Sequence, residues 1–155
     1  MISSNRSDPS WIFWDSIADK VNPALLLLLI VATWLVSRQQ SHSGAFFFRF
    51  VGRAVMAILL VYVLAHLPRW LHWNPFQSKF PSGHTAFAAC AITSLWLLDA
   101  RSKYFTLPLL GLYAALIVAL GHHIWIDILG ALVLAPPTAL WCHRWRNTPR
   151  DTVSN

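Results

Sequence analysis

The sequence contains no glutamate. All six acidic residues are aspartate, and Asp, Glu, Lys and Arg together make up only 12% of its 155 residues. Globular chains carry about 25% charged residues, so a solvated helical surface is missing. Low charge beside 56% hydrophobic residues also excludes an intrinsically disordered chain, whose signature is the reverse. Only two cysteines occur, Cys90 and Cys142, each inside an apolar run, which excludes a disulfide-stapled scaffold. They read as small apolar residues. The formal net charge is +6, yet the basic residues flank apolar segments and form no stripe, so no nucleic-acid partner is expected. The stretch before Lys20 lacks a basic region followed by an apolar one, so it does not read as a cleaved signal peptide.

What the chain has is apolar length. A helix needs about 20 mostly apolar residues to cross the ~30 Å hydrocarbon layer. Backbone groups there must be satisfied within the segment, so the long apolar runs are predicted to be helices. Five are expected, at about 20–36, 45–67, 85–98, 104–120 and 124–141, giving an all-α polytopic membrane bundle. Pro23 suits a first helical turn, Pro68 is expected to stop the second helix, and Pro136 and Pro137 to kink or shorten the fifth. Residues 1–19 read as an N-terminal interfacial segment with Trp11 and Trp14 at headgroup level, 20–143 as the transmembrane domain, and 144–155 as a basic tail.

Five spans place the N-terminus and the loops 68–80 and 121–123 on one side. Eight of the twelve basic residues fall on the other: Arg38, Arg49, Arg53, Arg101, Lys103, Arg144, Arg146 and Arg150. The positive-inside rule then predicts a cytoplasmic C-terminus. The two loops face outward, to the periplasm or exterior of a bacterium, and the bacterial inner membrane is the expected location. The sequence does not set the oligomeric state.

Ionisable groups beside the apolar region point to function, and two clusters qualify on the same side. One is Lys79-Phe80-Pro81-Ser82-Gly83-His84-Thr85, at the start of the third helix. A helix N-terminus presents N–H groups and a positive dipole end to an anion. Gly83 permits close backbone approach, the Ser82 hydroxyl adds a donor, and Lys79 adds charge. The other is Gly121-His122-His123-Ile124-Trp125-Ile126-Asp127, where His123 and Asp127 share one helix face at i,i+4. A carboxylate on one imidazole nitrogen leaves the other as nucleophile or base. Together the clusters suggest phosphoryl transfer through a phosphohistidine, with His123 attacking phosphorus and His84 protonating the leaving oxygen. A metal site of His84, His122, His123 and Asp127 is possible by ligand type, but it would leave the Ser-Gly cradle unused. His66 and His72 read as interfacial, and Arg69 as a headgroup anchor or substrate contact.

These motifs resemble those of the type 2 phosphatidic acid phosphatases, a family of membrane lipid phosphatases whose pattern is Lys-x6-Arg-Pro, Pro-Ser-Gly-His and Ser-Arg-x5-His-x3-Asp. The second part is intact as Pro81-Ser82-Gly83-His84, and His123 with Asp127 matches the end of the third. The resemblance, over roughly residues 60–135, implies a helical core working without a metal or other cofactor. It makes His123 the nucleophile, Asp127 its orienting partner, His84 the general acid and Ser82 a phosphate ligand. Four positions depart from the pattern, the first being Leu116 at the Ser of the third motif. Ile117 stands where the third motif has Arg, and aligning Arg69 with the first motif's Arg puts Tyr62 at its Lys and Trp70 at its Pro. Lys79 and His122 are the expected substitutes. The substrate implied is a lipid phosphate or diphosphate held in the bilayer, of polyprenyl diphosphate, phosphatidylglycerol phosphate or phosphatidic acid type. The alternatives are a relative that binds such a lipid or a protein partner without turnover, and a lipid phosphotransferase.

Overall fold

The computed structural model describes residues 9–39, 44–72 and 79–144. These form five α-helices, α1 (Pro9–Gln39), α2 (Gly44–Trp70), α3 (Gly83–Leu98), α4 (Lys103–Ala119) and α5 (Trp125–Arg144), with a short 3₁₀ turn, Ala100–Ser102, ahead of α4. No strand occurs among the described residues, so the expected all-α bundle is the one found. α1, α2, α5, and α4 with its 3₁₀ turn are long and apolar enough to cross a membrane, whereas α3, at 16 residues, is about 24 Å long. The outward faces carry exposed Leu27, Leu59, Leu112 and Val133, as a helical membrane protein requires.

α3 is the central helix. It packs against α1, α2, α4 and α5, most extensively α5. Its sequence explains this: Gly83, Ala86, Ala88, Ala89, Cys90, Ala91, Thr93 and Ser94 are all buried, and small side chains let neighbouring backbones come close. The hydroxyls among them do not go unsatisfied. Thr93 Oγ1 donates to the Ala89 carbonyl at 2.7 Å and Ser94 Oγ to that of Cys90 at 3.0 Å.

Three boundaries differ from expectation. α1 begins at Pro9, so residues 9–19, set apart in the sequence as an interfacial segment, form the first turns of the same helix that continues through Pro23. Pro68 does not stop α2, which continues to Trp70, and beyond it Leu71 N–H still donates to the Leu67 carbonyl at 3.0 Å. Close to a helix end a proline removes a single bond and leaves its neighbours intact. α5 likewise runs through Pro136 and Pro137 to Arg144. Residues 1–8 of the interfacial segment and 145–155 of the basic tail lie outside the described residues.

Candidate active site

Local signals build the site at one end of the bundle. α4 ends in a Schellman turn: Gly121, at φ +71°, donates to the Val118 carbonyl at 2.9 Å, and His122 N–H to that of Ile117 at 3.1 Å. The turn delivers His122 and His123 to the end of the bundle. α5 then starts with Asp127 reaching back, its Oδ2 accepting the Ile124 N–H at 3.2 Å and the His123 Nδ1–H at 3.1 Å. One buried carboxylate thus caps a helix and orients an imidazole. Because a carboxylate only accepts, Nδ1 carries the hydrogen and Nε2 keeps its lone pair.

α3 begins with Ser82 as N-cap. Its Oγ accepts the Thr85 N–H at 3.2 Å and donates to Thr85 Oγ1 at 3.1 Å. The fully buried Ser82 hydroxyl is therefore engaged in holding the helix start and does not line the cavity described below. The Ser82 N–H donates to the Asp127 carbonyl at 3.0 Å, which hangs the 79–84 loop on α5. Phe80 adds a second attachment. Its ring fills the notch left by Gly130, where a Cβ would stand 2.3 Å from a ring carbon.

The two clusters meet. The His84 and His123 ring centroids are 6.4 Å apart, with planes at 59°. His84 is exposed and His123 is 8% exposed. Burial pushes the His123 pKa below the usual histidine value, with the Asp127 contact opposing and nearby His84 and Lys79 reinforcing that shift. Both rings open onto a cavity of about 540 Å³, which Lys79, Gly83 and His122 also line. Asp127 stands behind His123. Of the expected site residues, Arg69 alone is undetermined: its backbone lies in the last turn of α2 and its side chain falls outside the described residues.

Sequence reasoning missed two contributors. His66, expected at the interface, lines the cavity from α2. The α1 segment supplies a wall through Ala18, Asp19 and Asn22, and its Asp15 Oδ1 accepts from His122 Nε2 at 2.6 Å. The i,i+4 spacing of Tyr62 and His66 was a legible signal for the first; Asp15 and His122 are 107 residues apart, and nothing local announces their contact.

The family model of the PAP2 superfamily matches residues 61–151. The chain belongs to the PAP2 superfamily. Among curated proteins, undecaprenyl-diphosphatase BcrC of Bacillus subtilis (strain 168) is 31% identical over 118 residues, which cover 70% of this chain and 61% of that protein. No solved structure matches the chain. Against the PAP2 pattern the departures take on a spatial meaning. Ile117, and Tyr62 where Arg69 is aligned with the first motif's Arg, stand at positions of PAP2 cations, and both line the cavity. The positions are kept and the charges are absent from them.

Proposed function

We propose that this protein is a membrane lipid phosphatase that hydrolyses a lipid phosphate or diphosphate through a phosphohistidine, on the extracytoplasmic side of a bacterial inner membrane. The carrying observation is the approach of His84 and His123 to 6.4 Å over one cavity, with a buried carboxylate fixing the His123 tautomer. The name of the Bacillus relative makes a polyprenyl diphosphate the first substrate to test.

In this reading His123 Nε2 attacks phosphorus. A P–N bond forms as the P–O bond to the lipid leaving group breaks, and His84 gives the leaving oxygen its proton. Water then attacks the phosphohistidine, the P–N bond breaks, His84 takes up a water proton and orthophosphate departs. The Gly83 amide, Lys79 and His122 meet the charge on the phosphoryl oxygens, while Ser82 serves by capping α3. The hydrocarbon is assigned to an apolar groove of about 600 Å³ between α2 and α5, which shares Phe80 and Pro81 with the cradle loop.

Purified protein given polyprenyl diphosphate, phosphatidylglycerol phosphate and phosphatidic acid in micelles should release orthophosphate from at least one. His123→Ala should abolish release, and acid-labile, base-stable label should be trapped on wild type. Full turnover in His123→Ala overturns the mechanism. Saturable binding of labelled lipid without release overturns the enzymatic reading in favour of a binding protein, and a phosphorylated acceptor lipid in place of orthophosphate marks a transferase.

A further inference from the structure

A further imidazole, His66, faces the cavity shared by His84, His122 and His123. Its Nδ1 lies 2.8 Å from the Tyr62 carbonyl oxygen, and a carbonyl only accepts. Nδ1 therefore carries a hydrogen, and Nε2 is the nitrogen left for a ligand. The ring lies against that of Tyr62, centroids 4.1 Å apart, which limits its rotation. On the other side, His66 Cε1, the carbon bonded to Nε2, comes within 3.1 Å of where a Cβ on Gly83 would stand. Gly83 is the first residue of α3. His66 thus leans over the amide end at which a phosphoryl group is proposed to sit, and the missing side chain of Gly83 is what admits it.

We infer that His66 is a phosphate-binding residue: as imidazolium it donates Nε2–H to a phosphoryl oxygen and takes over the contact expected of a lysine at position 62. The inference rests on the phosphatase reading for its ligand, and its geometry explains how a site can keep its shape after losing that charge. Residues 62 and 66 are i,i+4 on α2, so both project on one helix face about one turn apart. A lysine at 62 has the length to climb that turn of about 5.4 Å. A short, rigid imidazole has to start one turn closer to the cradle, and His66 does.

The test compares full-length His66→Ala, His66→Gln, His66→Lys and the double variant Tyr62→Lys/His66→Ala in micelles. His66→Ala should lower kcat/KM about 10- to 100-fold, the size of one charge-assisted contact. His66→Gln, of similar size but never a cation, should fall nearly as far. His66→Lys should recover most of the loss, and so should Tyr62→Lys placed in the His66→Ala background. The competitive inhibition constant for orthophosphate should rise with the loss and fall again with the rescue. His66→Ala or His66→Gln within twofold of wild type overturns the assignment, as does failure of both lysine variants to recover activity in protein that elutes as a single folded species. Should wild type release no phosphate, the phosphatase reading fails by itself. Calorimetric titration of wild type and His66→Gln with orthophosphate then decides the binding role: weaker binding in the variant upholds it, equal binding overturns it.

Discussion

The two ends of the bundle each bury a histidine, and the two are withdrawn from solvent alike: His123 and His143 are both 8% exposed. At the His143 end the ring is packed among neighbouring helices. Ser94 Oγ spends its hydrogen on the Cys90 carbonyl, so its lone pair accepts from His143 Nε2 at 3.3 Å. Arg53 Nη1 donates to the His143 carbonyl at 3.2 Å, and Phe50 packs its ring 4.6 Å from the imidazole. At the other end a carboxylate takes one nitrogen of His123 and the remaining edge faces a cavity. Burial alone therefore does not mark a reactive histidine. What distinguishes the two is whether the ring is enclosed by neighbouring helices or faces a cavity.

That contrast can be broken by substitution. Removing the ring at the open end should have the largest effect, with His123→Ala lowering phosphate release by about 10⁴-fold or more in a single-turnover assay, as loss of a nucleophile does. Next comes Asp127→Asn. It removes the carboxylate that fixes the tautomer and should cost about 10²- to 10⁴-fold in kcat. The same variant sharpens the pH argument. The depressed His123 pKa keeps the ring neutral, as the proposed attack requires, at pH values below the usual histidine range. Asp127 opposes that depression, so Asp127→Asn should move the acid limb of kcat/KM further toward low pH, and a limb displaced to higher pH would contradict the assignment.

A smaller effect is expected from Gly130→Ala, whose new methyl must displace the Phe80 ring and with it the cradle loop. A loss of about tenfold in kcat and a stability loss of about 1–3 kcal/mol are anticipated. In the Phe80→Ala background the added methyl should cost little more, which a thermal-shift and kinetic double-mutant comparison can check. His143→Ala closes the series. It should leave turnover within about twofold while lowering stability by about 1–3 kcal/mol, the cost of a lost buried contact. Strong loss of kcat there, with the fold intact, would erase the distinction between the two ends.

The helices, and the helix starts that carry the proposed site residues, were legible in the sequence because each follows from something local. Apolar runs of membrane-crossing length announce spans, and Gly121, Ser82 and the His123–Asp127 spacing are all short-range signals that the structure places at helix ends. Legibility failed where a residue serves two purposes. Ser82, read as a phosphate donor, also caps α3 through Thr85. Pro68 reads as a terminator, but the ladder survives it. His66 reads as interfacial until Tyr62 and Gly83 are seen on either side of it.

By itself the amino-acid order determined an all-helical membrane bundle, two chemically loaded helix starts on one side of it, and the missing charge at positions 62 and 117. Those properties depend on run length and on spacings of a few residues, and the bilayer enforces them by demanding that each segment satisfy its own backbone. Only the tertiary structure decided which groups share the cavity: Asp15 of α1 against His122, Phe80 in the notch of Gly130, and His66 over Gly83. Such contacts arise from helices packed side by side, where the facing partner is set by how closely small residues on α3 let the backbones approach, and no local pattern encodes that distance.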